Sequence, residues 1–176
     1  IPLSTWNVVT DSAAAQDVNP SSKGHGTLSA SVIASRGNNS GIKGVAFNAD
    51  IHVINAYYQK EGDTTSSYTN LSYTTEALEY AATLNIDVVL CNVQLDSGSS
   101  SLQKACNALE AKGIPILAAA GNFADENGDV TKDTVKYPGH YDTVVAVGAV
   151  ELSTSGVLDR ANYSGTGPYL DITSYT

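Results

Sequence analysis

Apolar and polar positions along this chain fall into blocks whose periods switch between two and about 3.6 residues. Five runs read as strands: 6–10, 51–56, 87–93, 114–120 and 143–149. Val88-Val89-Leu90-Cys91 and the stretch from Ile114 to Ala120 are continuously apolar, the pattern of strands covered on both faces of a parallel sheet. From Ser101 the period lengthens. Leu102, Ala105, Cys106 and Leu109 form one helical stripe, with Ser99 to Ser101 as N-caps and Gly113 as a left-handed stop. A second helix over 74–84 is expected to bury Ala77, Leu78, Ala81 and Ala82, and a third over 26–35 to turn Val32 and Ile33 inward. Strands alternating with helices of this length predict an open α/β fold, a mostly parallel sheet with right-handed crossovers. Functional groups in such sheets gather at the carboxyl ends of the strands. The polar segments 57–70, 94–100 and 121–129 follow three of those ends.

Composition narrows the field. At 176 residues, 42% hydrophobic and 15% charged, the chain can bury one sizeable core, so disorder and disulfide-stapled miniproteins are excluded. Nine Lys and Arg against eighteen Asp and Glu give a charge of −9, which argues against nucleic acid or anionic lipid as partner. No apolar run approaches the roughly 20 residues of a membrane helix, so no membrane insertion is expected. Cys91 lies in an apolar run and Cys106 on an apolar helix face, and both read as buried free thiols. The chain contains no Met and begins at Ile1, so it is expected to be a processed form or a piece of something longer.

Three histidines are candidates for proton transfer. His52 sits in an alternating strand, where a structural role suits it, and His140 sits in a turn with no task suggested by its neighbours. His25 differs. It lies in Gly24-His25-Gly26-Thr27, where a Ser-rich loop meets a helix of small residues, and flanking glycines let other backbone approach the imidazole. The second feature is Ile116-Leu117-Ala118-Ala119-Ala120-Gly121-Asn122, a buried strand ending abruptly in Gly-Asn. Gly-Asn is ordinary turn chemistry. It also places a neutral amide where a developing oxyanion could be met.

Together these stretches resemble the subtilisin-like serine proteases, the subtilases. The segment from Gly24 to Ala34 is similar to the family's histidine motif and its helix, and Asn38 to Ala46 to the loop that follows. Ala118-Ala119-Ala120-Gly121-Asn122 matches the oxyanion-asparagine segment. Tyr137 to Ala149, then Arg160 to Ser164 and Leu170-Asp171-Ile172, continue in the family's order over about 150 residues. The resemblance implies a subtilisin-like three-layer fold, with helices on both faces of the sheet, and hydrolysis of peptide bonds in polypeptides. It implies His25 as the base serving a serine nucleophile, Asn122 as oxyanion donor, and Asn92, Val93 and Gln94 as the segment that pairs with substrate backbone. It also implies a protein that is secreted or held at the cell surface.

The chain departs from the family's pattern in four places. It contains no Gly-Thr-Ser for the nucleophile, and only 24 residues precede His25, where the family's Asp normally lies well upstream. Asp11 is a stand-in for that Asp on one reading and a surface acid after a strand on the other. Gln94 replaces a glycine that leaves room at the primary specificity pocket, so a narrowed pocket is expected. Leu28 replaces the histidine usual after Gly-Thr, a change tolerable in a packed helix. No cofactor is expected. Calcium enters only through Gly37 to Ile42, which resembles the family's calcium loop, is one residue shorter, and also reads as a plain turn. Residues 1–176 are therefore expected to be the central part of a peptidase domain, without the Asp and Ser segments and inactive alone. The alternative is a pseudoprotease, a protein-binding domain that kept the fold. A nucleotide-binding α/β module would need a Gly-rich phosphate loop, and none occurs.

Overall fold

The computed structural model describes residues 3–13, 24–38, 41–63, 66–122 and 133–176. Two compact units divide the chain, Ile1–Ala77 and Leu78–Thr176.

The first unit pairs β1 (Ser4–Asn7) in parallel with β2 (His52–Asn55), with Ser4 opposite His52 and Asn7 opposite Asn55. His52 is a strand residue, as its alternation suggests, and its Nδ1 shares a 2.6 Å hydrogen bond with Ser4 Oγ. Helix α1 (His25–Ala34) follows Gly24, whose left-handed φ of 103° suits glycine. The orphan carbonyls at its far end are satisfied by the next loop. Gly44, Val45 and Ala46 donate their N–H groups to Ser35, Val32 and Ile33. A Cβ on Gly44 would lie 2.6 Å from the Ile33 carbonyl, which explains why that loop opens on glycine. The expected burial of α1 does not hold: no residue in it is buried, and Leu28 and Val32 are 62% and 59% exposed. The physical reason is in its composition. Small and hydroxyl-bearing residues occupy most positions, and Ser29 and Ser31 bond back to the carbonyls of His25 and Thr27, so no wide apolar stripe forms.

Helix α2 (Leu71–Ala81) buries Thr74, Thr75, Leu78 and Ala81, while Ala77 and Ala82 are half-buried. Asn70 starts it by accepting from the Tyr73 N–H at 2.9 Å.

In the second unit β3 (Val89–Cys91), β4 (Ile116–Ala119) and β5 (Val144–Leu152) pair in parallel, in that order. β6 (Leu158–Arg160) returns antiparallel on β5, and β7 (Ile172–Tyr175) pairs with it in parallel. Carbonyls alternate in direction along a strand. Those of Val147 and Ala149 accept from Ala120 and Ala161, and those of Ala146 and Val150 accept from Asp171 and Thr176. β4 and β6 therefore share one edge of β5 in succession, and β7 takes the other.

Helix α3 (Ser100–Glu110) behaves as its stripe requires. Ser99 Oγ accepts from the Leu102 N–H, and Leu102, Ala105, Cys106 and Leu109 are buried. Left-handed Gly113 (φ 73°) lets Ile114 donate to the Leu109 carbonyl and close the helix. Leu102 and Leu109 are fully buried, each worth about 1.5–3 kcal/mol. Cys91 and Cys106 are free and buried. One expectation for β3 fails: Val88 and Leu90 are 53% and 48% exposed, so this run is not covered on both faces. β3 ends the strand order of its sheet, and only β4 pairs with it among the described residues.

Candidate active site

Parallel neighbours place their carboxyl ends side by side. Cys91 pairs with Ala118, so continuing the register three places sets Gln94 beside Gly121. The side chains respect that geometry. Gln94 Oε1 accepts from the Asn122 N–H at 2.9 Å, and a Cβ on Gly121 would lie 3.6 Å from the same oxygen. Asn92 is exposed, Val93 is buried and Gln94 is half-buried. The structure thus brings together Asn122 and the segment 92–94. Gln94 does occupy space beside Gly121, and its amide is engaged there with the turn.

Gly121 has a φ of 109°, which turns the chain sharply at the end of β4 and leaves the Asn122 side chain exposed. A third segment braces the same place. Lys136 donates its backbone N–H to Ala120, and Tyr137 exchanges both backbone hydrogen bonds with Leu95. The stem of Lys136 lies on Gly121, where a Cβ would fall 2.5 Å from its Cγ. Sequence reasoning missed Lys136. Its only signal was its position immediately before Tyr137-Pro138-Gly139, whose Tyr–Pro bond is cis. A shallow cleft of about 200 Å³ adjoins the turn, lined among others by Gly121, Asn122, Gly148, Ser164, Ser174 and Thr176. A larger cavity of about 320 Å³ lies at the opposite, amino ends of β4 and β5, along Ile114, Ile116, Thr143 and Val145. Parallel sheets place function at the carboxyl ends. The smaller cleft lies at that end, beside Asn122.

His25 opens α1 in the first unit, and its side chain is exposed. Asp11 is also exposed, in the turn after β1, with a left-handed φ of 48° that an Asp tolerates better than most residues. Asn7 Oδ1 organises that turn by accepting from Val9 and Thr10. His140 is less idle than its sequence context implied. Its Nδ1 lies 3.3 Å from Asp133 Oδ2, and its ring stacks on Tyr169 at 3.9 Å. Tyr141 links the same turn to α3, accepting from the Ser99 N–H and donating to the Ser99 carbonyl, both at 2.9 Å. Burial raises the Tyr141 phenol above its usual range.

Within the candidate calcium loop, residues 39 and 40 lie outside the described residues. Gly37 and Gly41 both have left-handed φ, and Arg36 pairs across the turn with Lys43. Among the described residues no group of three or more His, Cys, Asp or Glu side chains is placed to hold a metal ion. No helix among them is long and apolar enough to cross a membrane.

Known proteins are similar to this chain along most of its length. The model of the Subtilase family matches residues 3–175. Subtilisin DY of Bacillus licheniformis is 31% identical over 157 residues, covering 89% of this chain and 53% of that protein. Subtilisin E of Bacillus subtilis (strain 168) is 34% identical over 158 residues, covering 89% of this chain and 38% of that one. Among solved structures, an S41 psychrophilic protease superposes with a TM-score of 0.62 at 27% identity, over 76% of this chain and 42% of its own. The chain thus spans about half the length, or less, of these relatives.

Proposed function

This chain belongs to the subtilase family, and from that premise we propose that it supplies part of the catalytic machinery of a secreted serine endopeptidase acting on polypeptides. The observation that carries the proposal is the placement of Gly121-Asn122 at the carboxyl end of β4, hydrogen-bonded to the segment after β3. In this reading the backbone of Asn92, Val93 and Gln94 lines up substrate as an added strand. The Asn122 side-chain amide donates to the oxyanion that forms as the peptide carbonyl becomes tetrahedral. His25 takes the proton from the attacking serine hydroxyl and returns it to the leaving amine, so one imidazole serves as base and then acid. The mechanism needs no cofactor.

No residue of the chain is assigned as the nucleophile, since Gly-Thr-Ser does not occur in it. The 176-residue chain alone is therefore expected not to hydrolyse peptides. The pseudoprotease alternative is not favoured, because the matched relatives are named as subtilisins and proteases.

The test is peptide hydrolysis by the full-length protein, with fluorophosphonate labelling of its nucleophile. Asn122→Ala should lower kcat by roughly a hundred- to a thousandfold, a magnitude taken over from subtilisin itself. His25→Ala should abolish labelling while leaving the fold intact. Full activity in either variant refutes the assigned roles, and labelling of a serine in the isolated 176-residue chain refutes its expected inactivity.

A further inference from the structure

The peptide unit between Gly121 and Asn122 is held at both of its polar ends. Its N–H, that of Asn122, donates to Gln94 Oε1 at 2.9 Å. Its carbonyl, that of Gly121, accepts the Gly165 N–H at 2.9 Å. The second contact leads on to a charge. Gly165 shares its peptide unit with the Ser164 carbonyl, which accepts from Arg160 Nη1 at 2.8 Å. The same nitrogen lies 3.2 Å from the Ala161 carbonyl and 3.4 Å from that of Asn162, so one guanidinium gathers the 161–164 turn. That turn sits on a fixed base. Ala161 donates its N–H to Ala149 of β5, and Ser164 Oγ accepts from the Ala149 N–H. Ser164 and Gly165 are buried, and a Cβ on Gly165 would collide with the Ala120 carbonyl, so their peptide unit is seated against the end of β4. Among the described residues Arg160 is the one donor to the Ser164 carbonyl.

From this series of contacts we infer that Arg160 is a positioning residue for Asn122, acting through two peptide units and touching no substrate. The inference rests on the protease reading, which makes Asn122 the oxyanion donor. A hydrogen bond to a cation is shorter and stronger than a neutral one, and bonds in series polarise one another. The guanidinium draws on the Ser164 carbonyl, the Gly165 N–H becomes a better donor to Gly121, and the Asn122 peptide plane is stiffened in turn. An oxyanion donor stabilises only the geometry at which it is aimed, so slack in that plane lowers rate rather than binding. Losing Arg160 also leaves the buried Ser164 carbonyl without its donor, and the turn loosens where it meets Gly121.

The experiment is a double-mutant cycle on the full-length protein. Arg160→Gln should lower kcat and kcat/KM equally, by about tenfold, with KM unchanged. In an Asn122→Ala background the same substitution should change kcat by less than about twofold, because the group it positions is gone. A tenfold fall that persists without the Asn122 amide, a KM that rises instead, or a kcat at the parent level would overturn the inference. Should Arg160→Gln fail to fold, Arg160→Lys decides. It keeps the cation but not the fork, and should cost about threefold in kcat. That loss should vanish in the Asn122→Ala background, and equal losses in both backgrounds sink the idea. Hydrogen–deuterium exchange at the Gly165 and Asn122 amides, read by mass spectrometry, tests the brace without turnover. Both should exchange about tenfold faster in Arg160→Gln. Faster exchange in a protein that does not hydrolyse peptides supports the brace and refutes the protease, whereas hydrolysis with exchange unchanged does the reverse.

Discussion

The side-chain oxygen of Gln94 accepts the backbone N–H of Asn122 at 2.9 Å, joining the segment after β3 to the turn after β4. These residues are 28 positions apart in sequence, and the parallel register of their strands brings them together. The bond fixes the orientation of the residue assigned to the oxyanion and places an amide where a bare backbone would leave room. Gln94→Gly should therefore do two things at once. Stability should fall by about 0.5–1.5 kcal/mol for the lost hydrogen bond, read by urea denaturation, while large apolar side chains gain access beside Gly121, read by substrate profiling.

Gly121 tolerates no side chain for two separate reasons. Its φ of 109° disfavours any L-residue, and a Cβ would lie 2.5 Å from the Lys136 stem. Gly121→Ala is expected to cost at least about 1–3 kcal/mol and to displace Asn122. Calorimetry should show the lowered Tm, and a variant as stable as the parent would mean that the turn is not built this way.

Ser164 is buried, and its hydroxyl is used twice, accepting from the Ala149 N–H at 2.9 Å and donating to the Gly165 carbonyl at 3.1 Å. Ser164→Ala leaves the half-buried Ala149 N–H of β5 without its acceptor, a loss of about 1–3 kcal/mol. Ser164→Cys, which keeps a weak acceptor of similar size, should lose less. Ranking the two by chemical denaturation separates the hydrogen bond from simple packing.

The two thiols give a pH signature. Burial pushes Cys91 up to about 11, and burial together with the neighbouring Cys91 pushes Cys106 up to about 12, from an ordinary 9.0. Between those values the unfolded chain releases protons that the folded one retains, so ∂ΔG/∂pH is negative. Stability from these groups is complete below about pH 9 and is lost as pH rises through about 11 and 12. Both thiols should resist iodoacetamide at pH 8 in the native protein and react on denaturation. Fast native alkylation would contradict their burial.

Much of the second unit was legible in the sequence because its signals are local. The α3 stripe of Leu102, Ala105, Cys106 and Leu109, its Ser99 cap and its Gly113 stop depend on residues within one helix and its ends. Period and capping chemistry suffice for such an element. In the first unit, the need for glycine at 44 came only from the structure, through its close approach to Ile33. Burial was the weaker inference. Val32 of α1 and Leu90 of β3 are apolar and exposed, because an apolar residue is buried only where a neighbouring element covers it.

The sequence alone determined the alternation of strands and helices, the acidic balance, and the motifs around His25 and Asn122 that resemble the subtilases. Only the tertiary structure decided that Gln94 holds the Asn122 turn, and that Lys136 lies on Gly121 and pairs with Asp96. The reason is one of range. Helix period, caps and turns are set by interactions a few residues long, so they are written in consecutive letters. Which side chain meets which strand end depends on pairing register between segments tens of residues apart, and that register exists only once the sheet has formed.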